Sequence, residues 1–514
     1  MSAHNVSTVE MDTPLGTAAR AGRLHVDATS IFWSAFISAA VVMGFVLYTD
    51  EMHHWFVVPV FVCGVLIGID AVNWLRSRMD VFDPIGLIGV LGLHVFLVAP
   101  LLHVATGYWM GYVTPPDDWR PWLGYMAWVN VAGLTIYLAT RRFLTEVFPV
   151  RRARILLQIE PRRFVPLLGL ALVGTALLQA VVYVRFGGVS GFINAYGDSA
   201  EHFVGFGLIF MFSESFPILA VIGASYWAQQ KPQRRNMTTV VVVLIAFVML
   251  KFVFGGLRGS RGHLIYGLFW AAGIVHLMIR PLPKKLFAVG GIFLVFFMYA
   301  YGFYKSFGAD SVLALQGSQA RAELLESSPR TLDAVVLGDL ARSDVQAFEL
   351  YRLSMGWSET RYDYAWGGTY LGAAALLIPR FILPDRPPTK IKAGTDLLFG
   401  PGVFENEMIG TNAYGLVGEA MLNFGLIGGL LSFTVLAAVV VWARRWLLSM
   451  SLLDSRRYIV PFLLSLTFMV LIWDSDVVLF YTIKEGLFPS FLIALSSRFV
   501  RPSTPTITTG VASS

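Results

Sequence analysis

Gly255-Gly256-Leu257-Arg258-Gly259-Ser260-Arg261-Gly262-His263 sets two arginines in a glycine-rich break between two apolar runs. A guanidinium is always charged and offers a planar fork of donors that fits carboxylate and phosphate oxygens. The glycines leave backbone N–H groups open and let a ligand approach closely. The chemistry this pattern suits is an anion site, above all one for a diphosphate. The plainer alternative is a pair of arginines snorkelling into lipid headgroups from two helix ends.

A second basic group follows downstream, Ile378-Pro379-Arg380-Phe381-Ile382-Leu383-Pro384-Asp385-Arg386-Pro387-Pro388-Thr389-Lys390. Its prolines stiffen an extended backbone that can hold Arg380, Arg386 and Lys390 at set positions; a solvated surface loop is the simpler reading. Between the two groups lies Gly338-Asp339-Leu340-Ala341-Arg342-Ser343-Asp344. If 333–355 is helical, Asp344, Glu349 and Arg352 share one polar side. A carboxylate beside an anion-binding arginine group can take a proton from a sugar hydroxyl, or simply pair with an arginine.

Further on, Gly410-Thr411-Asn412-Ala413-Tyr414-Gly415-Leu416-Val417-Gly418-Glu419-Ala420-Met421-Leu422-Asn423-Phe424-Gly425 puts Glu419 and Asn423 at i and i+4 on one helix face. Glycines at this spacing commonly serve as close-packing notches between membrane helices. A carboxylate inside a membrane is costly and therefore a functional candidate, which flags Glu419, Asp70 and Glu214. Lys251, His94 and His103 are weaker flags. Any of them also fits a buried hydrogen-bonded strut.

The elements that must position these groups are membrane helices. The 514 residues are 56% hydrophobic and 14% charged, with mean hydropathy +0.64, against roughly 25% charged in soluble domains. By the rule that about twenty apolar residues cross a bilayer, about twelve spans are expected, near 28–48, 55–75, 84–105, 121–140, 164–185, 205–227, 238–256, 262–279, 286–304, 413–443, 458–476 and 482–499. Basic clusters at 76–78, 141–163, 231–235, 280–285 and 444–457 fall on one side, which by the positive-inside rule is cytoplasmic. Arg258 and Arg261 then lie outside, against that rule. Net charge is +6, in short clusters that suit topology and anionic lipid rather than nucleic acid. Single Cys63 excludes an intrachain disulfide. The expected organisation is a cytoplasmic tail 1–27, nine spans over 28–305, a large extracytoplasmic loop 306–411, three spans over 412–500 and a cytoplasmic tail 501–514. The loop is too long to be a connector. It reads as polar over 316–330, amphipathic over 335–355, and interfacial or plugging at 371–378.

Gly259-Ser260-Arg261 opening a helix, Arg342-Ser343-Asp344, Ile378-Pro379-Arg380 with Leu383-Pro384-Asp385-Arg386-Pro387, and the closing Asn412 to Gly425 stretch together resemble the bacterial polymerases of lipid-linked oligosaccharide repeat units, the O-antigen polymerase group. The resemblance covers roughly 255–430 in order, plus the many-span layout and large outer loop. Leu383 stands where many relatives carry an aromatic, and Arg386 where they carry lysine.

The resemblance implies an all-α polytopic membrane protein with a partly helical outer loop and the GT-C-like architecture of metal-independent membrane glycosyltransferases. It implies a bacterial inner-membrane location with both termini cytoplasmic and an outward-facing site. Donor and acceptor would be oligosaccharides on polyprenyl diphosphate, in contact with membrane lipid and a chain-length regulator protein, with no metal or other cofactor and no nucleic acid. Arg261, Arg342 and Arg380 are the expected catalytic cations, with Asp344, then Glu419, as proton acceptor. Arg258, Arg386, Lys390, Asn412 and Asn423 are the expected substrate-binding residues. A ligase using the same donor, or a flippase, are the alternatives. The ligases rely on an outer-loop histidine, and 306–411 has none. A transporter should show paired halves with broken helices.

Overall fold

The computed structural model describes residues 27–151, 153, 155–198, 206–258, 261–307, 333–356, 362–378, 382–407 and 412–501. Among them, nine helices are long and apolar enough to cross a membrane, beginning with Ala28–Tyr48 and ending with Ser475–Leu495. Met237–Val253, Gly262–Met278 and Val460–Ile472 are shorter apolar helices at three of the expected spans. The protein is a helical membrane protein. One small exception to the all-helical expectation is an antiparallel pair of strands, Leu156–Ile159 with Ser497–Val500, in register Leu156 to Val500. The last span therefore ends at Leu495, before the expected 499.

The chain folds into two compact units that alternate along the sequence. One takes the described residues up to Val150, then Val336–Leu448 and Thr467–Asp476. The other takes Arg151–Val335, Ser449–Leu466 and the described residues from Val477.

The first unit is assembled by small residues. Ser30, Ser34 and Ser38 line one face of Ala28–Tyr48 at a spacing of four and are buried. Ser34 Oγ donates to the Val65 carbonyl at 2.7 Å and Ser30 Oγ to Asn73 Oδ1 at 2.7 Å. A Cβ on Gly64 would come within 2.8 Å of Ser38 Oγ, so glycine is what permits this approach. Two buried carboxylates are paired: Asp70 with Arg141, whose Nη2 lies 3.1 Å from Oδ1, and Asp83 with Arg444 at 2.9 Å. Asp70 is thus a strut.

The described parts of 336–407 belong to this unit and form the helices Ser343–Met355, Gly368–Ala375, Lys390–Phe399 and Val403–Glu407. The expected amphipathic character is corrected here, because Ser343 through Leu350 are all buried, polar and apolar sides alike. Val345 and Phe348 pack with Leu397, Leu398, Tyr414 and Leu422. The expected polar stretch 316–330 lies outside the described residues.

In the second unit, Pro161–Arg185, Gly207–Gln229, Met237–Val253 and Arg261–Met278 are the main helices. Trp270 Nε1 donates to the Tyr458 carbonyl at 2.7 Å.

Candidate functional site

Arg342 caps the start of Ser343–Met355 in the left-handed region, φ 81 and ψ 16. Such a backbone is uncommon for a side chain with a Cβ and holds only where its surroundings enforce it. Here the Arg342 N–H donates to the Leu337 carbonyl at 3.2 Å. The residue is 9% exposed, its guanidinium carbon stands 5.3 Å from the Trp473 ring centre, and its buried Nε has no hydrogen-bond partner. Among the described residues no carboxylate pairs with it. A buried cation without a counter-charge is costly, which marks Arg342 as a group prepared for an incoming anion.

Asp344 follows on the first turn, 2% exposed, its Oδ1 accepting the Val345 N–H at 2.9 Å. His103 Nε2 lies 3.9 Å from that oxygen. The other ring nitrogen, Nδ1, is 2.9 Å from the Tyr108 carbonyl. A carbonyl only accepts, so Nδ1 carries the proton there, and Nε2 faces Asp344 without a hydrogen bond. Burial, and then the Asp344 charge, push the nearby Tyr112 hydroxyl up from its usual range.

Trp473-Asp474-Ser475 holds several elements of this same unit together. Asp474 is fully buried; its Oδ1 accepts the N–H groups of Tyr414 and Gly415, each at 2.9 Å, and its Oδ2 pairs with Lys390. It therefore caps the Gly415–Ser449 helix, where an anion also meets the favourable end of the dipole. Ser475 donates its N–H to Glu419 Oε2 at 2.6 Å and its hydroxyl to Oε1 at 2.7 Å. Thr369 Oγ1 donates to the same Oε1 at 2.8 Å and accepts from Asn423 Nδ2 at 2.7 Å.

Gly425 then breaks the helix at φ 63 and ψ −155. The nearby carbonyls of Leu422 and Asn423 accept the N–H groups of Ala365 and Trp366 at 3.0 and 3.1 Å, and Asn423 Oδ1 takes that of Gly367 at 2.8 Å. This fixes segment 362–369, one wall of a cavity of about 430 Å³ that Thr369, Pro388 and Asp396 also line.

Glu349 is 0% exposed, and among the described residues neither of its carboxylate oxygens has a hydrogen-bond partner. Burial first, and the Asp474 charge second, raise its carboxyl well above the ordinary 4.5. Gly418 makes room for it, since a Cβ there would fall 2.6 Å from Oε2.

The second unit has its own buried charges, under the Gly255 to His263 stretch. Lys251 pairs with Glu485 Oε2 at 2.9 Å, Lys484 with Glu214 Oε2 at 2.6 Å, and His263 Nδ1 sits 3.1 Å from Glu485 Oε1 and 2.9 Å from Lys484 Nζ. Gly255, φ 127, lies against the Glu214 carboxyl. Glu214, His263 and Glu485 could offer three metal-ligand atoms within 4.8 Å of one another. The Lys484 ammonium already bridges two of those atoms, Glu214 Oε2 and His263 Nδ1, as a tethered cation.

The expected site residues therefore land differently. Arg342, Asp344, Glu419, Asn423, Asn412 and Lys390 all belong to the first unit. Lys390 is a strut: its Nζ is held by Asp474 and, at 2.8 Å, by the Asn412 carbonyl. Glu419 and Asn423 brace segment 365–369. Among the described residues the Asn412 side-chain amide meets only Met110 Sδ, at 3.8 Å. Arg386 donates to the Ile378 carbonyl. Arg258 ends a short turn and Arg261 opens a helix, but their side chains, like all of Arg380, lie outside the described residues. Sequence reasoning missed Asp474, Ser475 and Thr369. The available signal was the polar run Trp473-Asp474-Ser475-Asp476 inside an apolar stretch.

Models of protein families, curated proteins and solved structures were all compared with this chain, and none matches.

Proposed function

We propose that this chain is a membrane glycosyltransferase that joins polyprenyl-diphosphate-linked oligosaccharide repeat units into a surface polysaccharide. The observation that carries the reading is Arg342, a buried guanidinium held over Trp473 with no carboxylate partner among the described residues. In the reaction an acceptor hydroxyl oxygen bonds to the donor's anomeric carbon. The carbon–oxygen bond to the diphosphate breaks, and its electron pair leaves with the lipid diphosphate. A cation placed in advance stabilises that growing charge without reorganisation. Arg261, Arg258, Arg380 and Arg386 are the further guanidiniums to which the resemblance gives this task. Asp344 is the proton acceptor in this reading, because three donors already occupy the Glu419 oxygens. The site faces outward from a bacterial inner membrane with both termini cytoplasmic, and a chain-length regulator is the expected protein partner.

Analysis of surface glycolipid on a gel tests the class of activity. Cells lacking the chain should display single repeat units. Glycolipid with no repeat unit at all would point to a ligase or flippase and overturn the reading.

A further inference from the structure

The cavity beside Thr369 differs in sign from the Arg342 end of the same unit. Asp363 and Asp396 line it; among the described residues neither forms an ion pair, although Asp396 lies within the field of the Lys392 ammonium. Among the described residues the Asp396 carboxylate accepts one hydrogen bond, from the Phe404 N–H at 3.2 Å. The one lysine of the lining, Lys392, pairs with Glu405 and also feels the Asp396 charge. Asp363, Asp396 and Glu405 against this single ammonium leave the group negative. It repels a phosphate or a uronate and favours a cation.

The walls are set before a ligand arrives. One is tied to the broken helix by the N–H groups of Ala365, Trp366 and Gly367. The other runs from Pro387 and Pro388 into Lys390–Phe399, whose first residue is locked to Asp474. They meet where Gly372 lies directly on the Pro388 carbonyl, a contact a Cβ would obstruct. A volume of about 430 Å³ is within the range of about 300–1,000 Å³ typical of small-molecule sites. Tyr362 supplies an apolar face and Thr369 lies at the lining. Carboxylates and a ring face are what a sugar carrying an ammonium group needs; the Thr369 hydroxyl is already engaged by Glu419 and Asn423. Among the described residues the only trio of closely spaced metal-ligating side chains is Glu214, His263 and Glu485, and none of these lines this cavity.

We infer that this cavity seats an amine-bearing sugar of the acceptor repeat unit, with Asp363 and Asp396 selecting the ammonium group. The inference rests on the glycosyltransferase reading for its substrate, but its test does not depend on activity.

The full chain in lipid nanodiscs would be examined by saturation-transfer NMR with three probes, the trimers of glucosamine, N-acetylglucosamine and galacturonic acid. The glucosamine trimer should bind, the N-acetylated trimer about tenfold more weakly and the galacturonate trimer not at all, a tenfold step being the size of one charge-assisted hydrogen bond. Asp363→Asn should weaken the glucosamine trimer about tenfold. Among the described residues Asp363 makes no hydrogen bond, so its replacement should leave the fold undisturbed; Asp396→Asn, which keeps an acceptor for Phe404, should act alike. Equal binding of all three trimers, binding unchanged in both variants, or displacement of the glucosamine trimer by millimolar magnesium would overturn the inference. A negative result here with single-repeat glycolipid in cells lacking the chain would remove the amine site and leave the polymerase reading standing.

Discussion

Lys390 and Asp474 lie 84 residues apart and form a buried ion pair that joins the Lys390–Phe399 helix to the cap of Gly415–Ser449. The pair explains why a lysine expected to bind substrate is 6% exposed. Its work is architectural, since it fixes the cavity's second wall to the junction that also carries Trp473.

Removing one member of such a pair strands the other. Lys390→Met should destabilise the protein by about 3–5 kcal/mol, read as a lower melting midpoint in detergent. Adding Asp474→Asn should restore part of the loss, because the orphaned charge disappears while Oδ1 can still accept from Tyr414 and Gly415. A double variant no better than the single would show that the pair is not coupled.

Glu349 makes stability depend on pH. Its carboxyl is raised above the ordinary 4.5 in the fold, so between the two values the native state binds more protons than the unfolded chain. Its contribution is fully present below the unfolded value and is lost as pH rises through the folded one. Glu349→Gln should match the wild type near pH 4 and melt higher near pH 8. Parallel melting curves for the two proteins across that range would refute a strained, unpartnered carboxyl.

Gly425 has φ 63 and ψ −155, and a Cβ there would sit 2.9 Å from the Tyr364 hydroxyl. Such a conformation is essentially reserved for glycine and costs other residues about 1–3 kcal/mol. Gly425→Ala should lower the melting midpoint accordingly and expose segment 362–369 to protease. Neither change would occur if the helix can run straight through this point.

Lys484 stands where a metal ion would bind Glu214 and His263. The wild-type melting midpoint should therefore ignore zinc. Lys484→Ala opens a Glu–His–Glu set of the kind zinc accepts, and zinc should then raise the variant's midpoint. Zinc stabilising the wild type would mean that the ammonium does not block the site.

Most of the helices could be placed from the sequence, because hydropathy over some twenty residues is a local property. The fate of 333–407 could not. Asp344, Glu349 and Arg352 read as one polar side, and only the packing of Met110, Leu397 and Leu422 around Val345 and Phe348 shows the helix enclosed. Asp474 is lost to an averaging window that sees an apolar stretch, although it caps a helix starting 59 residues earlier. The motif around Arg342 was visible in order and spacing. What spacing does not carry is the lack of a partner, which depends on every side chain that folds around it.

Arg342→Lys keeps the charge and removes the fork, with no ion pair to break, so the variant should insert and melt like the wild type. In a reconstituted assay on polyprenyl-diphosphate-linked repeat units, polymer formation should fall about a hundredfold, the size of one lost transition-state contact. Full-length polymer from Arg342→Lys at the wild-type rate would contradict the assignment of Arg342 to the departing diphosphate.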